Sequence, residues 1–192
     1  MMKKRVMSLT LLAVFSLTSV VYAELRNADA FFSTHPTDNY VKNIRTYISP
    51  NVADKGLLST VTEAISDFEG ISGANISYDT YSADSNDYDL RVNAGNYGID
   101  YLGETRVYYL DKNDNYTRHY GDEPWDRVKI YLNREALDYY NADSKNRRHN
   151  TIHEFGHGLG LVHQNSNSVM EQGLLNVTDP TTLDENNLSW QY

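Results

Sequence analysis

The chain has 192 residues, 40% of them hydrophobic, and a formal net charge of −9. That length supports one domain with a sizeable core, and an acidic chain without a basic stripe argues against nucleic acid and anionic membrane surfaces as partners. There is no cysteine, so no disulfide framework supports the fold.

Residues 1–23 read as a secretory signal peptide. Lys3, Lys4 and Arg5 give a positive start, residues 6–21 are nearly all apolar, and Val21-Tyr22-Ala23 offers small residues at the cleavage positions. A membrane anchor is the competing reading, but an apolar run of about 16 residues is shorter than the ~20 that spanning needs. Cleavage would remove three basic residues and no acidic one, leaving a secreted, more acidic monomer without stable membrane association. Residues 24–39 are polar, lack periodicity and contain Pro36. They read as a flexible arm or short prosegment, in which Asp29 or His35 could cap a metal before activation. The folded domain is expected over residues 40–192.

Residues 41–49 (VKNIRTYIS) alternate apolar and polar side chains and predict a first strand. Asp54 is placed to cap a helix in which Leu57, Leu58, Val61, Ala64, Ile65 and Phe68 recur at helical spacing up to Gly70. Residues 76–81 and 87–92 predict two short strands, and residues 93–100 a glycine-bearing loop. Residues 102–110 (LGETRVYYL) predict a fourth strand. Asp111-Lys112-Asn113-Asp114-Asn115 begins like a calcium loop but lacks the glycine and distant glutamate of an EF-hand, so a hairpin loop is the main reading and calcium the alternative. Residues 128–132 (VKIYL) predict a fifth strand and residues 134–140 a helical or looped crossover. Asp143 or Ser144 could then cap a helix running to Leu159, with Ile152, Phe155 and Leu159 on its core side.

That helix carries the chemistry. His153 and His157 lie one turn apart on one face, with Glu154 beside them. Two imidazoles at that spacing can grip one zinc ion, and the carboxylate can take a proton from an attacking water. Gly160 is placed to end the helix in a left-handed turn. Only such a turn brings His163 round as third ligand, because six residues along a straight helix is about 240° away. Three protein ligands with an open fourth position is how catalytic zinc is held. His149, one turn before His153, is a rival ligand but lies about 6 Å too far back along the axis. An exposed or supporting role is expected for it.

The stretch HEFGHGLGLVH followed by Ser168-Val169-Met170 matches the extended zinc motif and methionine turn of the metzincins. Within that clan it most resembles small bacterial matrixin-like endopeptidases. The resemblance implies His153, His157 and His163 as ligands of one catalytic zinc, Glu154 as general base, and Met170 beneath the metal, with Gly160 turning the chain. It also implies an α+β fold: a five-stranded mixed twisted sheet with two long helices, above a small, mostly irregular lower subdomain closed by a C-terminal helix. The fourth strand would be the sheet edge along the cleft, where an extended peptide adds as a further strand. Residues 172–178 would wall the primed side. Gln164 stands where matrixins carry a small hydroxyl residue, and Gln172 where astacin-like and serralysin-like members carry tyrosine, so the motif points to the clan and leaves the family open. With only His119 in the segment before the helix, the second, structural zinc of animal matrixins is not expected. Nor is there a propeptide cysteine to hold zinc latent.

Residues 180–192 predict a closing helix capped by Thr181 or Thr182, with Leu183, Leu188 and Trp190 as buried candidates. The expected activity is a secreted zinc endopeptidase acting on extracellular proteins. Two alternatives are a secreted zinc-binding interaction protein, against which the retained Glu154 speaks, and a zinc amidase acting on cell-wall or small peptides.

Overall fold

The computed structural model describes residues 24–81, 87–110, 115–118 and 124–192. The expected signal peptide, most of the suggested calcium loop and His119 lie outside them. Thr37 Oγ1 caps a short helix α1 (Asp38–Val41), which leads into strand β1 (Ile44–Ile48). Pro50 then starts a second short helix, α2 (Pro50–Asp54), as its fixed φ suits a first helical position. Asp54 therefore ends one helix rather than capping the next. Gly56, at φ +67°, turns the chain into the long helix α3 (Leu58–Glu69), whose Val61, Ala64, Ile65 and Phe68 are buried as their spacing requires.

Strands β2 (Tyr78–Tyr81), β3 (Leu90–Gly95), β4 (Gly103–Leu110), β5 (Tyr116–Arg118) and β6 (Arg127–Asn133) follow. Among the described residues the sheet has six strands in the order β2-β1-β3-β6-β4-β5. The pairs from β2 to β6 are parallel; β6 with β4 and β4 with β5 are antiparallel. The class is thus α+β with a mixed sheet, but the count is six, not five. The extra strand is three residues long, too short for alternation to show in sequence. Among the described residues it pairs with β4 at Tyr108, Tyr109 and Leu110.

One sheet face is built from the buried Ile44, Thr46, Leu90, Val92, Ala94, Val128, Ile130 and Leu132. Helix α4 (Arg134–Tyr139) follows β6, and α5 (Ser144–Gly158) then packs on β4, β6 and α3. Arg148 ties these elements together. Its guanidinium donates to Glu63 and Asp67 of α3, to Asp179 and to the Thr178 carbonyl.

The last helix, α6 (Thr182–Gln191), is capped by Thr181 in a capping box with Asp184. Leu183 and Leu188 are buried, but Trp190 is 52% exposed and leans on Phe31. Tyr192 takes the interior position instead, its hydroxyl donating to the Leu159 carbonyl. Residues 24–39 fold onto the body, with a 3-10 turn at Asn27–Ala30 and Phe31 in an antiparallel bridge with Leu161. Among the described residues, no helix is long and apolar enough to cross a membrane.

Candidate metal centre

Helix α5 starts on a reciprocal cap: Asn146 N–H donates to Asp143 Oδ1 (2.9 Å), and Asp143 N–H donates to Asn146 Oδ1 (3.2 Å). It stops in a Schellman turn. Leu161 N–H donates to the Gly156 carbonyl and Gly160 N–H to that of His157, both at 3.0 Å, with Gly160 at φ +94°. Glycine is needed there twice over, because a Cβ would also stand 2.8 Å from His35 Cβ. The turned chain is then held against the N-terminal arm, Phe32 N–H donating to Gly160 O and Val162 N–H to Ala30 O, each at 2.9 Å.

This reversal brings the three expected imidazoles together. The ring centroids of His153 and His157 are 4.7 Å apart, those of His157 and His163 4.7 Å, and those of His153 and His163 5.1 Å. One ring nitrogen from each lies within 4.8 Å of the other two. His153 Nδ1 faces the Val169 carbonyl at 2.9 Å and His157 Nδ1 that of Leu161 at 2.8 Å. A carbonyl only accepts, so each Nδ1 carries the proton and each neutral ring offers its Nε2 lone pair to the centre. Burial, then the neighbouring His157, pulls His153 down to about 3; burial takes His157 down to about 4 and also lowers His163. All three stay neutral and ready to coordinate at neutral pH.

The donor set fits a metal ion. His157 Nε2 is 3.1 Å from His163 Nε2, and two nitrogens bound to one tetrahedral zinc at ~2.0–2.1 Å stand roughly 3.3 Å apart. Three imidazoles also suit copper or nickel, so the geometry alone marks a metal site without naming the metal.

Glu154 is 5% exposed and carries its carboxylate into the same cleft. Burial pushes it up to about 7, against the opposing effect of a hydrogen bond from Thr105. Thr105 Oγ1 lies 2.7 Å from Glu154 Oε2 and 2.8 Å from the Glu154 carbonyl. Met170 is fully buried, and a methyl group on Gly156 would overlap its sulfur. The turn that carries Met170 is fixed by Asp184 of α6, which accepts from the Ser168 hydroxyl and, at 3.0 Å, from Val169 N–H.

The cleft has a volume of about 980 Å³. Strand β4 forms one side through Gly103, Thr105 and Val107; Phe32, Trp125 and Val162 contribute apolar surface, and Gln172 and Gly173 part of the outer wall. Neither Asp29 nor His35 lines it. His35 packs between Phe31 and Tyr192 instead.

Two residues flagged in the sequence find their explanation here. Gln164 is buried, and its side-chain amide both accepts from Leu25 N–H (2.9 Å) and donates to Leu25 O (3.0 Å), docking the arm like a piece of strand. His149 is buried rather than exposed, its ring nitrogens 2.8 Å from the Val177 carbonyl and 3.0 Å from that of Glu171, and it helps to line the cleft. Gly103, Thr105, Asp184, Phe32 and Trp125 carry no motif and were not legible as site residues. Compared with known proteins, the chain matches no family model and no curated protein.

Proposed function

We propose that this chain is a secreted zinc endopeptidase of the metzincin type, cleaving peptide bonds in proteins. One observation carries the reading: three neutral imidazoles converge in a cleft that also holds a buried carboxylate from the same helix. His153, His157 and His163 would hold the ion. Bound there, a zinc ion supplies Lewis acidity, which acidifies a water and polarises a carbonyl oxygen.

The remaining work falls to the chain's own side chains. Thr105 occupies Glu154 Oε2, leaving Oε1 to take the proton of the attacking water and pass it to the leaving amine. Gly103, Glu104, Thr105 and Val107 of β4 border the cleft. The β4 main chain suits an extended peptide, bound by strand addition irrespective of side chains. This favours protein substrates over small amides.

Cleavage of unfolded casein and of a peptide library, with and without a chelator, tests the reading. The expected results are hydrolysis that stops on chelation and returns with zinc. Glu154→Ala should keep the metal and lose a hundredfold or more in rate. Hydrolysis indifferent to chelation, or an equally fast Glu154→Ala, would remove the assignment.

A further inference from the structure

Beyond the Gly103 end of β4, the cleft is bounded by a loop that is pinned from several sides. Asn133, fully buried at the end of β6, accepts from Tyr97 N–H (3.2 Å) and donates to the carbonyls of Gly98 (2.8 Å) and Tyr101 (2.7 Å). Both hydrogens of its amide are thereby used. Gly98 N–H donates to Glu135 Oε2 at 2.9 Å, and the Tyr140 hydroxyl donates to the Ile99 carbonyl. The loop is fixed before any ligand arrives, so binding a ligand there spares the cost of ordering it.

The loop contributes Asp100 and Tyr101 to the cleft lining. The Tyr101 ring runs nearly parallel to that of Tyr97, at 12° with centroids 6.4 Å apart. Tyr97 rests in turn on the bare main chain of Gly95, where a Cβ would stand 2.5 Å from its ring. Asp100 is exposed, and its side chain makes no hydrogen bond or ion pair with any described residue. The neighbouring Glu104 is already taken by Arg106 and Arg118, and Arg106 lies over Tyr131 rather than Tyr101. Among the described residues no lysine or arginine lines the cleft.

Exposed polar residues on a loop are ordinary; these two differ in lining a cleft from a locked position. An electron-rich ring beside a carboxylate, with no resident cation, fits a cationic side chain. A guanidinium fits best, because it is planar, stacks on a ring and meets a carboxylate as a fork. Its place relative to the chemistry follows from Gly103, which abuts the Glu154 carboxylate. Asp100 is three residues from Gly103, at most ~11 Å of extended chain, a span that a bound peptide covers in about three residues.

We infer that Asp100 and Tyr101 form a subsite for a basic side chain of the substrate, arginine above all, within about three residues of the cleaved bond. The substrates are then basic peptides, which the net charge of −9 also draws in. The subsite rests on the peptidase reading for the place of the cut, though not for the contact itself.

The test uses peptides of one sequence in which arginine, lysine, glutamine or glutamate stands in turn at each place near the cut. Their cleavage by the zinc-loaded full chain is measured, and their binding to the chelator-treated chain is followed by fluorescence anisotropy. At one place on one side of the cut, arginine should be favoured over glutamine by about tenfold in kcat/KM, carried mainly by KM. Lysine should fall between them and glutamate last, and half-molar salt should shrink the preference. Asp100→Asn and Tyr101→Leu should each lower the arginine-to-glutamine ratio by about threefold, whereas Tyr101→Phe, which keeps the ring, should preserve it. Cleavage with no preference for arginine, or a ratio unchanged in Asp100→Asn, would overturn the subsite and leave the peptidase reading standing. Arginine-selective binding without cleavage would do the reverse, and no selectivity in either measurement would overturn the subsite.

Discussion

A Cβ placed on Gly103 would stand 2.7 Å from both Cγ and Oε1 of Glu154. The carboxylate proposed as general base therefore rests directly on bare main chain of β4, with Thr105 two residues along holding its other oxygen. Gly103→Ala should push Glu154 off its position without touching the imidazoles. The expected outcome is a fall in kcat of roughly tenfold to a hundredfold, part of what a general base contributes, with metal content unchanged. Rate and metal content measured on one preparation decide it; loss of metal would mean that the helix itself had moved.

The buried Glu154 also leaves a signature in stability. Its carboxyl is raised to about 7 in the metal-free protein, so the folded state keeps a proton that the unfolded chain loses above its ordinary value of 4.5. That contribution is full below the unfolded value and is lost as pH rises through about 7. Glu154→Gln removes this titration. With chelator present, the variant should gain stability over wild type between those two values and level off above, by roughly 3 kcal/mol. Denaturant midpoints at several pH values give the difference, and a flat difference would contradict the burial argument.

Asp184 accepts from Ser168, Val169 N–H, and the main-chain N–H and hydroxyl of Thr181. Asp184→Ala leaves these donors without their acceptor in the interior, at a cost of order 3 kcal/mol. It also frees the turn that carries Met170. Thermal unfolding should show the loss, and zinc affinity should fall with it, since the Val169 carbonyl that orients His153 sits in the same turn.

Gln164→Ala should release the N-terminal arm at Leu25. The two hydrogen bonds joining them are local, so global stability should change by only about 1–2 kcal/mol. Amide exchange at Leu25 and cutting of the arm by added protease should both speed up. Phe32 lies 5.8 Å from the His157 ring, so peptide preference on that side of the cleft should broaden as the arm loosens.

The sequence by itself determined the candidate metal-binding motif, because its spacing is local. Two histidines one helical turn apart share a face, and Gly160 permits the left-handed turn that returns His163. The long helices and most strands were legible for the same reason: their periodicity is contained within a few residues. What only the tertiary structure decided are relations between distant positions. Gly103 beneath Glu154, Asp184 beneath the Met170 turn, and Gln164 against Leu25 each join residues whose separation in sequence says nothing of their approach. Strand register gives the plainest case. Residues 91, 106 and 129 lie far apart in an acidic chain with no basic stripe, and only strand register sets them side by side.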